Sequence, residues 1–130
     1  FLGSSREIPA VGVAFGLVPI IEVLTEKIQL KEKSPAKVYV IPIKTQKESL
    51  KIAGQLREEG ITSDFDINGR GVSKNLQYAS SLGIPYSLII GEKEVKSKTI
   101  SVREQGKGDL GAMSTKKLQD LLLKKITSKR

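Results

Sequence analysis

Apolar and polar positions change rhythm several times along these 130 residues, and each change marks an element. Lys37–Ile43 (KVYVIPI) is apolar at successive positions, as in a strand covered on both faces. Thr45 and Glu48 stand in the T-x-x-E spacing of a capping box. Ile52, Ala53 and Leu56 then recur at helical spacing, and Gly60 supplies a left-handed stop. Asp64–Asn68 alternates, with Phe65 and Ile67 on one side. Val72, Leu76, Ala79 and Gly83 predict a second helix, ended by Ile84-Pro85. Tyr86–Ile90 reads as another buried strand, and Thr99–Arg103 alternates with Ile100 and Val102 on one face. After QGKGDLGAM, Ser114 or Thr115 caps a last helix that turns Leu118, Leu121, Leu122 and Ile126 inward.

The predicted order is strand, helix, strand, helix, strand, strand, helix: an α/β domain. Right-handed crossovers make the first strands parallel and place helices on both faces. Gly91–Lys98 is too short for a crossover helix, so the last strand is expected to run antiparallel to its neighbour. The result is a mixed, mostly parallel sheet of about four to five strands flanked by three helices. Glu92–Lys98 (EKEVKSK) itself reads as a charged, solvated turn. Upstream, a boundary falls at Thr25–Lys37, where charges dominate and Ser34-Pro35 punctuates the end. The apolar run Ala10–Val23 is broken by Gly12, Gly16, Pro19 and Glu22, too often for a bilayer span. No basic stretch of a secretion signal precedes it. A soluble, cytoplasmic protein is expected.

Charge sharpens this picture. Lys and Arg total 22 against 14 acids, a net charge of +8. Residues 92–130 hold eleven of the basic groups and only five acids. Such a regional surplus suits a polyanion, because neutralised phosphates release counterions; it also suits a plain solvated lysine surface. The chain has no His and no Cys. Zinc sites of the usual ligands, histidine acid–base chemistry, Ser–His or Cys–His nucleophiles and a disulfide framework are thereby excluded.

The sharpest local motif is Asn68–Gly71 (NGRG). Asn68 and its two glycines permit positive φ, so several amides can point one way while Arg70 projects outward. The helix beginning near Val72 adds the positive end of its dipole. An ordinary strand-to-helix turn uses glycines in the same way. Gly69 and Gly71 begin a G-x-G, but Lys74 stands where a dinucleotide fingerprint needs Gly or Ala, and no P-loop occurs.

Residues 37 to about 126 resemble the C-terminal anticodon-binding domain of class II aminoacyl-tRNA synthetases. The segments that carry the likeness are KVYVIPI, the helix ending in REEGI, DINGRGVSKNLQYASSLGIPYSLIIGEKEV, TISVR and GKGDLGAMS. The DINGR-to-YA segment is most like the histidyl enzyme; the GDLGAM ending is more like the threonyl and prolyl enzymes. The resemblance implies a three-layer anticodon-binding fold at 37–130 and a tRNA anticodon stem-loop as partner. By resemblance Glu94 and Arg103 match positions that touch anticodon bases, and the tRNA-binding loop after the second strand brings Gly69, Arg70 and Lys74 as the further candidates. Glu94 would accept from a base, Arg103 would donate to guanine, and Arg70 and Lys74 would hold the backbone. Gly69 stands where the threonyl branch has asparagine, so no side-chain contact carries over there. Tyr78 and Tyr86 are the nearest aromatic rings for stacking.

Pro9–Leu17 (PAVGVAFGL) resembles the third signature motif of the class II catalytic core. Residues 1–24 are thereby read as the end of such a core, and 25–36 as a linker. The family usually continues with an acidic residue and an ATP-gripping arginine; Val18 and Pro19 occupy those places, and the proline is expected to disturb the helix. The first two class II motifs are absent, so these residues are not expected to aminoacylate alone. No cofactor is expected in this chain; ATP and magnesium belong to the catalytic core of a homodimeric parent. The implied function is anticodon binding in a histidyl-tRNA synthetase. The alternatives are a threonyl- or prolyl-type domain and a non-catalytic, synthetase-like regulator or RNA sensor.

Overall fold

The computed structural model describes residues 9–27 and 33–127. Contacts divide the chain into two units, 1–31 and 32–130. In the first, helix α1 (Leu17–Lys27) follows a stretch without regular secondary structure. Pro19 is its third residue and does not break it, contrary to the sequence expectation. First-turn amides have no intrahelical acceptor, so a missing N–H costs nothing there. Val11, Phe15, Leu17 and Val18 are exposed in this unit.

The second unit contains β1 (Val38–Pro42), α2 (Gln46–Glu58), β2 (Ser63–Phe65), α3 (Val72–Ser81) and β3 (Tyr86–Ile90). It continues with α4 (Glu92–Ser97), β4 (Thr99–Glu104), β5 (Gly108–Ser114) and α5 (Thr115–Thr127). The sheet order is β2-β1-β3-β4-β5. β2, β1 and β3 are parallel, β4 is antiparallel to β3, and β5 is antiparallel to β4. Four of the five strands therefore share a direction, as the α/β reading requires. Burial of β1 is complete because both faces carry helices.

Alternate residues divide the core in two. Val38, Val40, Leu88, Ile90, Ile100 and Val102 pack with Ala53 and Leu56 of α2 and Leu118 and Leu122 of α5. On the other face Tyr39 and Ile41 pack with Ala79 and Ile84, flanked by Val72, Leu76 and Ile89. Gly60, at φ +77, ends α2 as predicted. Among the described residues no helix is long and apolar enough to cross a membrane.

Four local expectations change. β2 stops at Phe65, and Ile67 is 88% exposed rather than beside Phe65. The buried Asp66 turns inward to hold the following loop, which takes the chain off the sheet. Thr45 does not cap α2 with its side chain: Oγ1 donates to the Ile90 carbonyl at 2.5 Å and lies 3.1 Å from Ser49 Oγ. Glu92–Ser97 is the helix α4 rather than a turn. GDLGAMS is strand β5 rather than loop, joined to β4 by a tight turn with Gly106 at φ +82, and Gly108 at φ +91 opens the strand. The inward placement expected of Ile126 lies outside the described side chains.

Candidate nucleic-acid interface

Asp66 organises the loop between β2 and α3. Its Oδ1 accepts the Asn68 amide (3.2 Å), and Oδ2 accepts the Arg70 amide (2.8 Å). Asn75, fully buried on α3, donates Nδ2 to Asp66 Oδ2 and to the Arg70 carbonyl, each at 2.9 Å. Tyr39 on β1 donates its hydroxyl to Asn75 Oδ1 at 3.3 Å. Burial pushes the Tyr39 phenol up to about 12, with the Asp66 and Asp64 carboxylates adding to the effect, so it remains a donor.

This network overturns one element of the sequence reading. The amides of Asn68 and Arg70 point inward to Asp66 and do not form an outward nest for an anion. Gly69 alone in NGRG has positive φ (+64), and it is exposed. The loop's outward chemistry therefore lies in the Arg70 side chain. Its guanidinium sits 4.6 Å from the centroid of Tyr78, which in turn packs 5.6 Å from Tyr39. A cation stacked on a ring is pre-oriented, with in-plane N–H donors still available. Lys74 is exposed four residues before Tyr78, on the same side of α3.

The opposite flank of α3 borders a groove of about 710 Å³ over β3 and β4. Ser73, Gln77, Ser80, Ser87 and Arg103 line it. Arg103 pairs in register with Ser87 and Asp109, at an irregularity between Val102 and Arg103, and is exposed. Its alternation with the buried Val102 places it on this open face, as the sequence pattern requires. Gln105 Nε2 reaches Ser80 Oγ at 3.2 Å and closes one end.

Glu94, on α4, reaches the same face of β4 through Ser101. Its Oε2 accepts the Gly91 amide (3.0 Å), and its Oε1 accepts the Ser101 hydroxyl (3.2 Å). The backbone amide of Glu94 itself, then those two donors, holds the carboxyl below its ordinary range. It is an ionised, fixed acceptor that also caps α4.

The five residues therefore form two groups. Gly69, Arg70 and Lys74 lie at the start and along one flank of α3, whereas Arg103 stands on β4 across the groove and Glu94 on α4, joined to β4 through Ser101. A helix with its side chains is about 10 Å wide, which sets the scale of that separation. Tyr86, one of the two rings considered for stacking, is buried on the closed face, whereas Tyr78 is partly exposed. Ser73, Gln77 and Ser80 were not singled out from sequence. Their spacing is a polar helical stripe beside the apolar one, and that stripe was the available signal.

A family model described as "Anticodon binding domain" matches residues 37–125. The chain belongs to this family. Histidine–tRNA ligase 1 of a Bacillus cereus strain is 37% identical over 109 residues, covering 83% of this chain and 25% of the ligase. The histidyl-tRNA synthetase structure from Nostoc sp. PCC 7120 has a TM-score of 0.67 at 24% identity, over 85% of this chain and 26% of that one. The RNA-binding domain of threonyl-tRNA synthetase from Cryptosporidium parvum Iowa II has a TM-score of 0.66 at 21% identity, over 70% and 24%. These two structures share the fold. The chain spans about a quarter of the length of the curated relatives it matches.

Proposed function

We propose that this anticodon-binding domain works within a histidyl-tRNA synthetase, a cytoplasmic, homodimeric ATP-dependent ligase that attaches histidine to its tRNA. The observation that carries the reading is the identity with histidine–tRNA ligases, which covers more of the chain than residues 37–125 alone make up. The exposed apolar residues of the first unit, Val11, Phe15 and Leu17 among them, support its origin in a larger catalytic body.

The two residue groups divide the work. Arg103 donates to a guanine edge from the open β4 strip, and Glu94, fixed by Gly91 and Ser101, accepts from a base amino or imino group. Arg70 and Lys74 hold the sugar–phosphate backbone across α3, with Gly69 leaving space for it. Single-stranded loops suit such a surface because their bases are splayed and open to side chains.

Titrating the protein with tRNA bearing the histidine anticodon, and with an anticodon-swapped version, tests this. Binding should weaken steeply with salt and fall further on the swap. Arg103→Ala should lose about 1–3 kcal/mol of discrimination, whereas Lys74→Ala should weaken all tRNAs alike. Equal affinity for every anticodon would refute the reading. It would favour a non-catalytic RNA-binding relative, the alternative that Val18 and Pro19 support by standing where charged residues are usual.

A further inference from the structure

We propose a second RNA contact, distinct from base reading: a lysine rim that holds phosphates of the stem adjoining the anticodon loop. It rests on the anticodon-binding reading above. Sheet order β2-β1-β3 places the topological switch between β1 and β3, where open α/β sheets present ligands beyond the carboxyl ends of their strands. Lys44 follows β1 there, and α4 with Lys96 follows β3. Lys98 precedes β4 at the same edge. Thr99 pairs with Ser114, so Lys98 and the start of α5, with Lys116 and Lys117, leave the sheet from adjacent strands. Neighbouring strands are about 4.8 Å apart.

Three observations leave the rim available to a polyanion. All five lysines are exposed, and among the described residues no carboxylate forms an ion pair with any of them. By contrast, Lys107 and Lys125 at the other end of β4 are both neutralised by Glu104. Finally, Lys44 (φ 58) and Lys98 (φ 55) are the two non-glycine residues with positive φ among those described, and both stand on this rim. At Lys98 that conformation is the left-handed end of α4, which turns the chain along the rim; at Lys44 it is uncommon for a long side chain. Five unpaired cations along one edge complement a regularly spaced polyanion, and long lysine stems reach a phosphate without needing one base geometry.

The test uses the full chain carrying Lys96→Gln, Lys98→Asn, Lys116→Gln and Lys117→Gln, with Asn at 98 to keep the left-handed backbone. Each lost phosphate contact removes roughly 0.7–0.9 from the slope of log affinity against log salt, so the slope for tRNA should fall by about 3. Preference for the histidine anticodon should persist. A variant with Arg at 96, 116 and 117 should keep the slope, and Lys51→Gln with Lys124→Gln should leave it unchanged. Matching thermal melts show that the variants fold. An unchanged slope in the four-site variant, with anticodon preference intact in the unsubstituted chain, overturns the rim and leaves base reading standing. A reduced slope in a chain that never discriminated anticodons supports the rim and refutes base reading. Lost affinity for polyglutamate with tRNA binding unaltered would assign the rim to an acidic protein, and also overturns it.

Discussion

On one face of the sheet α2 and α5 bury Val38, Val40, Leu88, Ile90, Ile100 and Val102; on the other, α3 alone covers Tyr39 and Ile41. The second face leaves the β4 strip to Ser101 and Arg103 beside a groove edged by Ser73, Gln77 and Ser80. Helix count explains the difference. On the closed side α2 and α5, with Val95 of the short α4, cover the sheet, but one helix over β1 and β3 cannot reach β4, so that strip is wet and polar. Stability is concentrated on the closed face, and side chains on the open face are available for recognition. Nearly every site residue considered above is on the open face or at its rim.

Leu88 and Ile89 are consecutive in β3 and point to opposite faces, so they give the largest test of this contrast. Leu88 is fully buried, and Leu88→Ala should cost about 3 kcal/mol in urea denaturation, from lost transfer energy and a cavity. Ile89 is half-buried beside α3, and Ile89→Ala should cost about 1 kcal/mol. Equal losses would show that the two faces share the load.

A somewhat smaller effect is expected from the polar lock on the open side. Asp66→Ala leaves the Asn68 and Arg70 amides without their acceptor and Asn75 Nδ2 with the Arg70 carbonyl alone. The expected cost is about 2 kcal/mol, since buried donors lose a charged partner. Hydrogen exchange at the Arg70 amide should rise in this variant even under conditions where the protein remains folded. Unchanged exchange would mean that Asp66 does not hold the loop.

How much of this was legible in the sequence follows from the kind of interaction each element depends on. β1, β3 and the faces of α2 and α3 rest on apolar side chains, and those declare themselves by spacing. β5 does not: Gly108 and Gly111 carry little β propensity, and the strand exists because β4 offers it a ladder of backbone hydrogen bonds. α4 is a single charged stretch whose start is fixed by Glu94 reaching the Gly91 amide, a contact with no apolar period. At the candidate site, Arg103's face was readable from alternation with Val102. The inward turn of Asp66 was not, because D-F-D-I-N alternates as a strand would and only the tertiary placement of Asn75 and Tyr39 makes Asp66 an interior acceptor. Family likeness supplied the site positions that periodicity could not.

The smallest expected effect lies on the closed face, where α5 is tied to the sheet by charge as well as by Leu118 and Leu122. Glu104 lies opposite Tyr86; its Oε2 accepts from Lys125 Nζ at 2.8 Å and its Oε1 from Lys107 Nζ at 2.9 Å. The Tyr86 hydroxyl reaches Oε1 at 3.3 Å, and Lys125 also lies 5.5 Å from the Tyr86 ring. The hydrogen bonds from Lys125 first, then Lys107, hold the Glu104 carboxyl down at about 2, from an ordinary value of 4.5. A carboxyl depressed in the folded state binds its proton less readily than in the unfolded chain. Its stabilisation is therefore present in full above about pH 4.5 and disappears as the pH falls toward 2. Because both lysines reach solvent, the contribution should be only about 1 kcal/mol after screening. Glu104→Gln should lower stability by that amount at pH 7 and converge on the unsubstituted protein near pH 2, as read by urea denaturation across the range. A constant gap between the two at every pH would assign the loss to packing against Tyr86, and the closed face would then owe its strength to apolar burial alone.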